Sequence, residues 1–266
     1  MPNFVLTIAG SEATGGAGAQ ADLKTFQARN VFGIAALTCI VSFNPKDNWN
    51  HRFVPVDPQV IADQLEASLT AYGPDQLDTV KIGMLGSPAT ISVVAEALGA
   101  RKFKNVILDP VLICKGQEPG HALDTDQALK TNILPFASFV TPNHFEAIQL
   151  SGMESIESLE DLTQAAKRIF DSSGATVLAK GGVRIAGDNA VDVFYDGTTL
   201  EVLSAPKVGE VAVSGAGCSL AAAVAAEIAK GVSPLEAAHN AKDFVYRAIE
   251  NRAHSNAPFD AVWQGN

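Results

Sequence analysis

The sequence predicts an α/β fold, a doubly wound and largely parallel sheet with helices on both faces. Three observations point there. Short β-rich apolar runs alternate with helical patterns from one end of the chain to the other. No Pro/Gly-rich linker and no internal repeat divides it, so residues 1–266 read as a single domain. Apolar residues make up 47% of the chain, which suits a sheet covered on both sides and excludes disorder.

Residues 3–9, Asn3-Phe4-Val5-Leu6-Thr7-Ile8-Ala9, form a β-rich run ending at Gly10, a buried first strand. The turn Gly10-Ser11-Glu12-Ala13-Thr14-Gly15-Gly16-Ala17-Gly18 then opens a helix over 19–29, with Leu23 and Phe26 on one face. A ligand could meet exposed backbone there. Two familiar motifs fail, however. A Walker A loop needs Lys and then Ser or Thr after Gly15, where Gly16 and Ala17 stand. Gly16-x-Gly18-x-x-Ala21 matches a loose dinucleotide fingerprint, but no carboxylate ends the next strand, at 36–43, to hold a ribose.

Residues 44–51, Asn44 to His51 with Trp49 among them, are a polar loop, either a lid or an ordinary solvated turn. Asp57-Pro58 starts a helix with Ile61, Leu65 and Leu69 on one stripe. A strand at 78–83, a helix from Ser87-Pro88 to Gly99, and strands at 105–109 and 139–143 follow. Ser158-x-x-Asp161 reads as a capping box for a helix bearing Leu162, Ala165, Ala166 and Ile169. A strand at 175–180 stops at Gly181-Gly182, and Asp196-Gly197 closes a hairpin as a type I′ turn between 191–195 and 200–203. Ser233-Pro234-Leu235-Glu236 opens the last helix.

The net charge of −10 argues against nucleic acid or an anionic membrane as partner. No stretch is long and apolar enough to span a bilayer, and residues 1–9 lack the basic and apolar regions of a signal peptide. Cys39, Cys114 and Cys218 are odd in number and widely spaced, as reduced thiols in a cytoplasm would be. The five histidines show no metal-ligand spacing.

Ser214-Gly215-Ala216-Gly217-Cys218 runs directly into an alanine-rich helix. Two readings are open for it. A Gly-rich helix entry presents outward N–H groups at the positive dipole end, suited to phosphate, and lowers the pKa of a thiol in the first turn. Alternatively it is a core helix with a flexible entry and an inert cysteine. In open α/β sheets ligands bind beyond the strand carboxyl ends. Ser11, Asp109, Asn143, Glu146 and Lys180 all fall there, and several polar residues converging at strand ends form a candidate site.

With these residues in hand the chain resembles the ribokinase-like kinases, in the branch of hydroxymethylpyrimidine kinases and bacterial pyridoxal kinases. The matching runs include Thr7-Ile8-Ala9-Gly10-Ser11, Gly15-Gly16-Ala17-Gly18-x-Gln20-Ala21-Asp22, Lys81-Ile82-Gly83-Met84-Leu85 and Asp109-Pro110-Val111. Thr141-Pro142-Asn143-x-x-Glu146, Lys180-Gly181-Gly182, Asp192-x-x-Tyr195-Asp196-Gly197 and Gly215-Ala216-Gly217-Cys218 continue in family order. The resemblance implies a ribokinase-like fold with a small lid or flap, ATP and Mg2+ as co-substrate and cofactor, and a homodimer. It makes Gly215, Ala216 and Gly217 an anion hole for the transferring phosphoryl group, and Cys218 the catalytic base. It places Asn143, Lys180, Gly181, Gly182, Val183, Arg184, Asp192, Gly217 and Lys242 at the nucleotide. It gives Glu146, and with less weight Asp109, to the metal.

For the substrate, the resemblance puts Ser11, Phe43, Met84, Cys114 and Cys218 around a small vitamin. Pyrimidine kinases of the branch carry a glutamine where this chain has Phe43, and losing that amide weakens a pyrimidine reading. The Asn48-Trp49-Asn50-His51 loop, and Cys114 on the flap segment 111–116, are similar to the pyridoxal kinases, where two cysteines are linked to capture of the aldehyde. Pyridoxal, pyridoxine or pyridoxamine is therefore the expected substrate, with hydroxymethylpyrimidine the alternative and a non-catalytic vitamin binder behind it. Two departures from the family pattern are Glu12, where Asp is usual, and Val213-Ser214 in place of Thr-His.

Overall fold

The computed structural model describes residues 2–112 and 119–265. The first apolar run becomes β1 (Asn3–Glu12), with Val5 through Gly10 buried without a break, as in strands covered on both faces. It carries Ser11 and Glu12 out at its carboxyl end. Helix α1 (Gly18–Ala28) returns the chain to β2 (Val31–Asn44). The polar loop expected next is shorter than its sequence implied. Asn48 and Trp49 take left-handed φ of 47° and 59°, and β3 (Asn50–Pro55) pairs antiparallel with β2, Phe43 opposite His51.

Helix α2 (Pro58–Ala71), β4 (Thr79–Ile82), α3 (Pro88–Ala100) and β5 (Asn105–Leu108) repeat the crossover. Asp57 and Ser87 cap their helices ahead of a proline, which lacks the N–H a first turn leaves unpaired. Then come α4 (Pro119–Asn132), β6 (Phe139–Val140), α5 (His144–Ser151), α6 (Leu159–Ser173) and β7 (Thr176–Gly182). The Ser158–Asp161 capping box forms as expected. The hairpin β8 (Asn189–Tyr195) and β9 (Leu200–Pro206) differs from expectation at its turn. Tyr195 pairs with Leu200, so residues 196–199 close it, and Asp196 accepts from the N–H of Thr198 and Thr199 at 2.9 and 2.7 Å. A type I′ turn needs two consecutive positive φ, and here only Gly197, at 93°, has one. Helices α7 (Ala216–Ala229) and α8 (Pro234–Glu250) complete the set.

The nine strands form one sheet in the order β3-β2-β1-β4-β5-β6-β7-β8-β9, parallel from β2 to β7 with antiparallel strands at both edges. One core lies between the sheet and α2 to α6, around Ile61, Leu65, Ile91, Val94, Leu129 and Leu162. The other lies under α1, α7 and α8, around Phe26, Val224 and Val245. The chain leaves β1 toward β2 on one side and later takes up β4 on the other. That reversal opens a crevice at the carboxyl end of β1. Helix α7 is buried from Ser219 to Glu227 and packs against β1, β4 and β5; its alanines let it approach the sheet closely enough to aim its N-terminus at that crevice. Among the described residues no helix is long and apolar enough to cross a membrane.

Candidate active site

The turn before α7 is held from three sides. Gly215, at φ 79°, crosses the Gly-rich turn after β1 so closely that a Cβ would fall on the Gly16 carbonyl oxygen. The C-terminal segment straps it: Ser214 N–H donates to Asp260 O, and Val262 N–H to Ser214 O, both at 3.0 Å. Gln264 Nε2 reaches Ser219 Oγ at 2.9 Å beneath the first turn. No side chain caps α7. Ala216 N–H donates to Val213 O at 3.3 Å, while the N–H groups of Gly217 and Cys218, in the first turn, lack intrahelical acceptors and leave a positive helix end.

The first Gly-rich turn behaves otherwise. Glu12 folds back over it: Oε1 accepts from Thr14 N–H at 2.6 Å, and Oε2 from Gly16 and Ala17 N–H at 2.9 and 3.2 Å. Thr14 Oγ1 adds a fourth bond at 2.8 Å. The exposed backbone expected here as a ligand cradle is thus occupied by the chain's own carboxylate.

Two cavities meet at the α7 turn. One, of about 170 Å³, is lined by Ala216, Gly217, Lys180, Gly182, Val183 and Lys242 among others. Lys242 Nζ bonds Asp192 Oδ2 and Ala190 O, each at 2.7 Å, and Asp192 Oδ1 accepts from Gly181 N–H. Asp192 and Lys242 therefore pair with each other along this wall. Gly181 is buried behind it, and Arg184 is exposed; neither lines the cavity. The other cavity, of about 270 Å³, has Ser11, Phe43, Met84 and Cys218 on its walls, as the sequence pattern implied. It also has Glu12, His51 and Lys81, which that pattern did not single out for the site. Phe43 stacks edge-on against His51 and lies 4.9 Å from the Phe259 ring, giving the cavity an aromatic side. Cys114 lies outside the described residues, as does the body of the expected flap. Cys39 is buried and pushed up to about 11 by that burial, an inert core thiol behind Met84.

Between the cavities sits a charged cluster. Lys180 Nζ is 3.2 Å from Asp109 Oδ1, and a Cβ on Gly217 would stand 3.4 Å from that nitrogen. Burial pulls Lys180 down, but Asp109 and Glu146 outweigh it and hold the ammonium above its ordinary range. Asn143 and Glu146 form a reciprocal capping box on α5, with Glu146 Oε2 accepting from Asn143 N–H at 2.8 Å and Asn143 Oδ1 from Glu146 N–H at 3.0 Å. Burial pushes Glu146 up to about 8 even with Lys180 opposing it. Asn143 does not line the Lys242 cavity.

Cys218 corrects one expectation. The helix end was to lower its pKa; instead burial pushes the thiol up to about 11, against the pull of Lys81 and of the Gly18 N–H that faces the sulfur. Desolvating a thiolate costs more than one helix terminus returns. Lys81 carries its own signal in the sequence: it is a lone charge inside the run Thr79-Val80-Lys81-Ile82, and such a residue is rarely buried without a partner.

A model of the phosphomethylpyrimidine kinase family matches residues 12–262. The chain is 44% identical over 249 residues to the pyridoxine kinase of Bacillus subtilis, covering 92% of this chain and 89% of that one. The structure superposes on the pyridoxal kinase of Staphylococcus aureus in complex with AMP-PCP and pyridoxal with a TM-score of 0.90 at 40% identity, covering 100% of this chain and 94% of that one. A hydroxymethylpyrimidine/phosphomethylpyrimidine kinase of Haemophilus influenzae is more distant, 37% identical over 251 residues, covering 93% and 91%.

Proposed function

The chain belongs to the phosphomethylpyrimidine kinase family, and from that membership we propose that it transfers the terminal phosphoryl group of ATP to the 5′-hydroxyl of pyridoxal, with pyridoxine and pyridoxamine as further substrates. All of residues 1–266 would serve as one kinase domain. The observation that carries this reading is the α7 turn, a shared wall of two cavities, with Gly217 facing one and Cys218 the other. A group held on its N–H donors has the Lys242 cavity on one side and the Phe43 cavity on the other.

In this reading the Lys242 cavity takes the nucleotide and Lys180 meets its phosphates. The N–H groups of Gly217 and Cys218 hold the oxygens of the transferring group, joined by that of Ala216 once it leaves Val213 O. Charge stabilisation of that kind is the main demand of a loose phosphoryl-transfer transition state. Cys218 receives the hydroxyl proton. Starting from about 11, forming its thiolate at pH 7 costs about 5 kcal/mol at 1.36 per unit. A loose transition state tolerates that, because the attacking oxygen keeps its proton until late. Glu146 and Asp109 fit Mg2+: the two carboxylates act on each other and on the Lys180 ammonium, magnesium characteristically rests on one or two carboxylates plus substrate phosphates, and a bound cation would favour the charged form of Glu146 that burial opposes. When bound it would neutralise phosphate charge.

Purified protein given ATP, Mg2+ and each vitamer in turn, with ADP release followed, tests the proposal. Turnover with pyridoxal is expected. Turnover with hydroxymethylpyrimidine alone would transfer the reading to the pyrimidine branch, and binding of pyridoxal without turnover would make the protein a vitamin binder.

A further inference from the structure

The cavity that holds the Cys218 thiol is also walled by one partner of an ion pair that phosphoryl transfer leaves unused. Lys81 stands in β4, whose four residues are all buried, and its ammonium meets Asp22 Oδ2 on α1 at 3.0 Å with both side chains fully enclosed. Thr7 Oγ1 on β1 donates to the same oxygen at 2.6 Å. Asp22 Oδ1 has no hydrogen-bond partner among the described residues. A pair this deep loses more in desolvation than its attraction returns unless every lone pair is satisfied, and here one oxygen is bare. Apolar side chains of similar volume would join β1, β4 and α1 at no greater cost. Stability therefore does not account for the pair.

Its position does. Lys81 lies on the wall of the same cavity as Cys218, beside Gly83, where even a Cβ would come within 2.8 Å of the ammonium. We propose that Lys81, anchored by Asp22 and Thr7, is a positioning residue that sets the charge state of Cys218: the ammonium stabilises the thiolate, and Asp22 moderates its field. Burial pulls Lys81 itself down, but Asp22 outweighs this and keeps it charged. The other groups facing the sulfur divide. The Gly18 N–H favours the thiolate, Asp109 opposes it, and the Lys180 ammonium is itself favoured by a charge on the sulfur. Glu12 and His51 complete the cavity wall.

The inference rests on reading Cys218 as the proton acceptor, so its test reads the thiol directly. Iodoacetamide alkylation of Cys218 in the intact, ligand-free protein, followed by the mass of its peptide between about pH 6 and pH 10, reports thiolate alone, free of Cys39 and Cys114. Lys81→Met should slow alkylation at a fixed pH by about tenfold, one unit of proton affinity. Asp22→Asn should accelerate it several-fold, because Lys81 then acts unopposed. Loosened packing would move both variants the same way. Should a single variant fold poorly, Lys81→Met/Asp22→Leu removes both charges at similar volume and should still alkylate more slowly than the parent. Shifts of one sign in the two single variants, or rates unchanged within about twofold, overturn the proposal. Opposite shifts in a protein that lacks kinase turnover would leave it standing and sink the kinase reading instead.

Discussion

The two Gly-rich turns are written in nearly the same residues and used in opposite ways. After β1, the N–H groups of Thr14, Gly16 and Ala17 converge on Glu12, so a carboxylate of the chain sits where a ligand anion could have been. Before α7, the cap residue is Gly215 and no side chain turns back; Ala216 N–H rests on Val213 O at 3.3 Å, and the N–H groups of Gly217 and Cys218 are left for a ligand. The turns also brace each other, since Gly215 passes over the Gly16 carbonyl. Glycine content marks where backbone donors are exposed. Whether they await a ligand depends on a side chain nearby that can reach them, and Glu12 reaches three.

The contrast breaks most sharply at Cys218, which only the open turn possesses. Cys218→Ala should lower kcat by about 10²–10⁴, the range of general-base loss, while ATP affinity measured by titration stays within about twofold. In the parent enzyme a thiol at about 11 is protonated at neutral pH, so thiolate rises tenfold per unit toward 11. Log kcat/KM should therefore climb with pH between 7 and 10, with a slope approaching one, and should lose that slope in Cys218→Ala. A flat parent profile would remove the base assignment.

Gly215→Ala attacks the brace. At φ 79°, with its Cβ directed into the Gly16 carbonyl, alanine must displace one turn from the other. A shift of about 1 Å at a transferring group costs about 10²-fold in kcat. Steady-state ADP release should show this with the circular dichroism unchanged.

Glu12→Gln tests the closed turn. The amide cannot accept four bonds on two oxygens, so the turn loses about 1–3 kcal/mol, read as a lower Tm. Because Glu12 lines the Phe43 cavity and not the Lys242 cavity, KM for the vitamer should rise several-fold with KM for ATP unmoved. A rise in the ATP constant instead would mean that the closed turn serves the phosphates after all.

How much of this is readable from the chain alone follows burial. The parallel strands announce themselves because helices cover both faces, which turns Val5-Leu6 or Val106-Ile107-Leu108 into unbroken apolar runs. Strand β3 does not, being a half-exposed edge strand of mixed residues whose pairing with β2 depends on left-handed φ at Asn48 and Trp49. The hairpin at 196–199 is legible in its position and not in its turn type, since Asp196 ties down the following N–H groups and four residues close what two could have. At the site, strand-end polar residues were visible in order. What was not visible is partnership: Glu12 with three N–H groups, Asp192 with Lys242, Lys81 with Asp22. The last two join residues 50 and 59 apart, which no local pattern encodes, and the first depends on the fold of its own turn.

The smallest expected effects compare two capping boxes that are alike in geometry. Ser158–Asp161 caps α6 in solvent, while Asn143–Glu146 caps α5 beside the Lys180–Asp109 cluster. Removing either cap residue exposes the same kind of orphan N–H, so Ser158→Ala and Asn143→Ala should each lower Tm by about 2–4 °C. Only Asn143→Ala should also change kinetics. Without Asn143 Oδ1 on its N–H, the first turn of α5 loosens, and the Glu146 carboxylate that faces Lys180 moves with it. KM for ATP should then rise at subsaturating Mg2+ and recover as Mg2+ is added, whereas Ser158→Ala follows the parent at every concentration. If both variants follow the parent, Asn143 and Glu146 are a helix cap and nothing more.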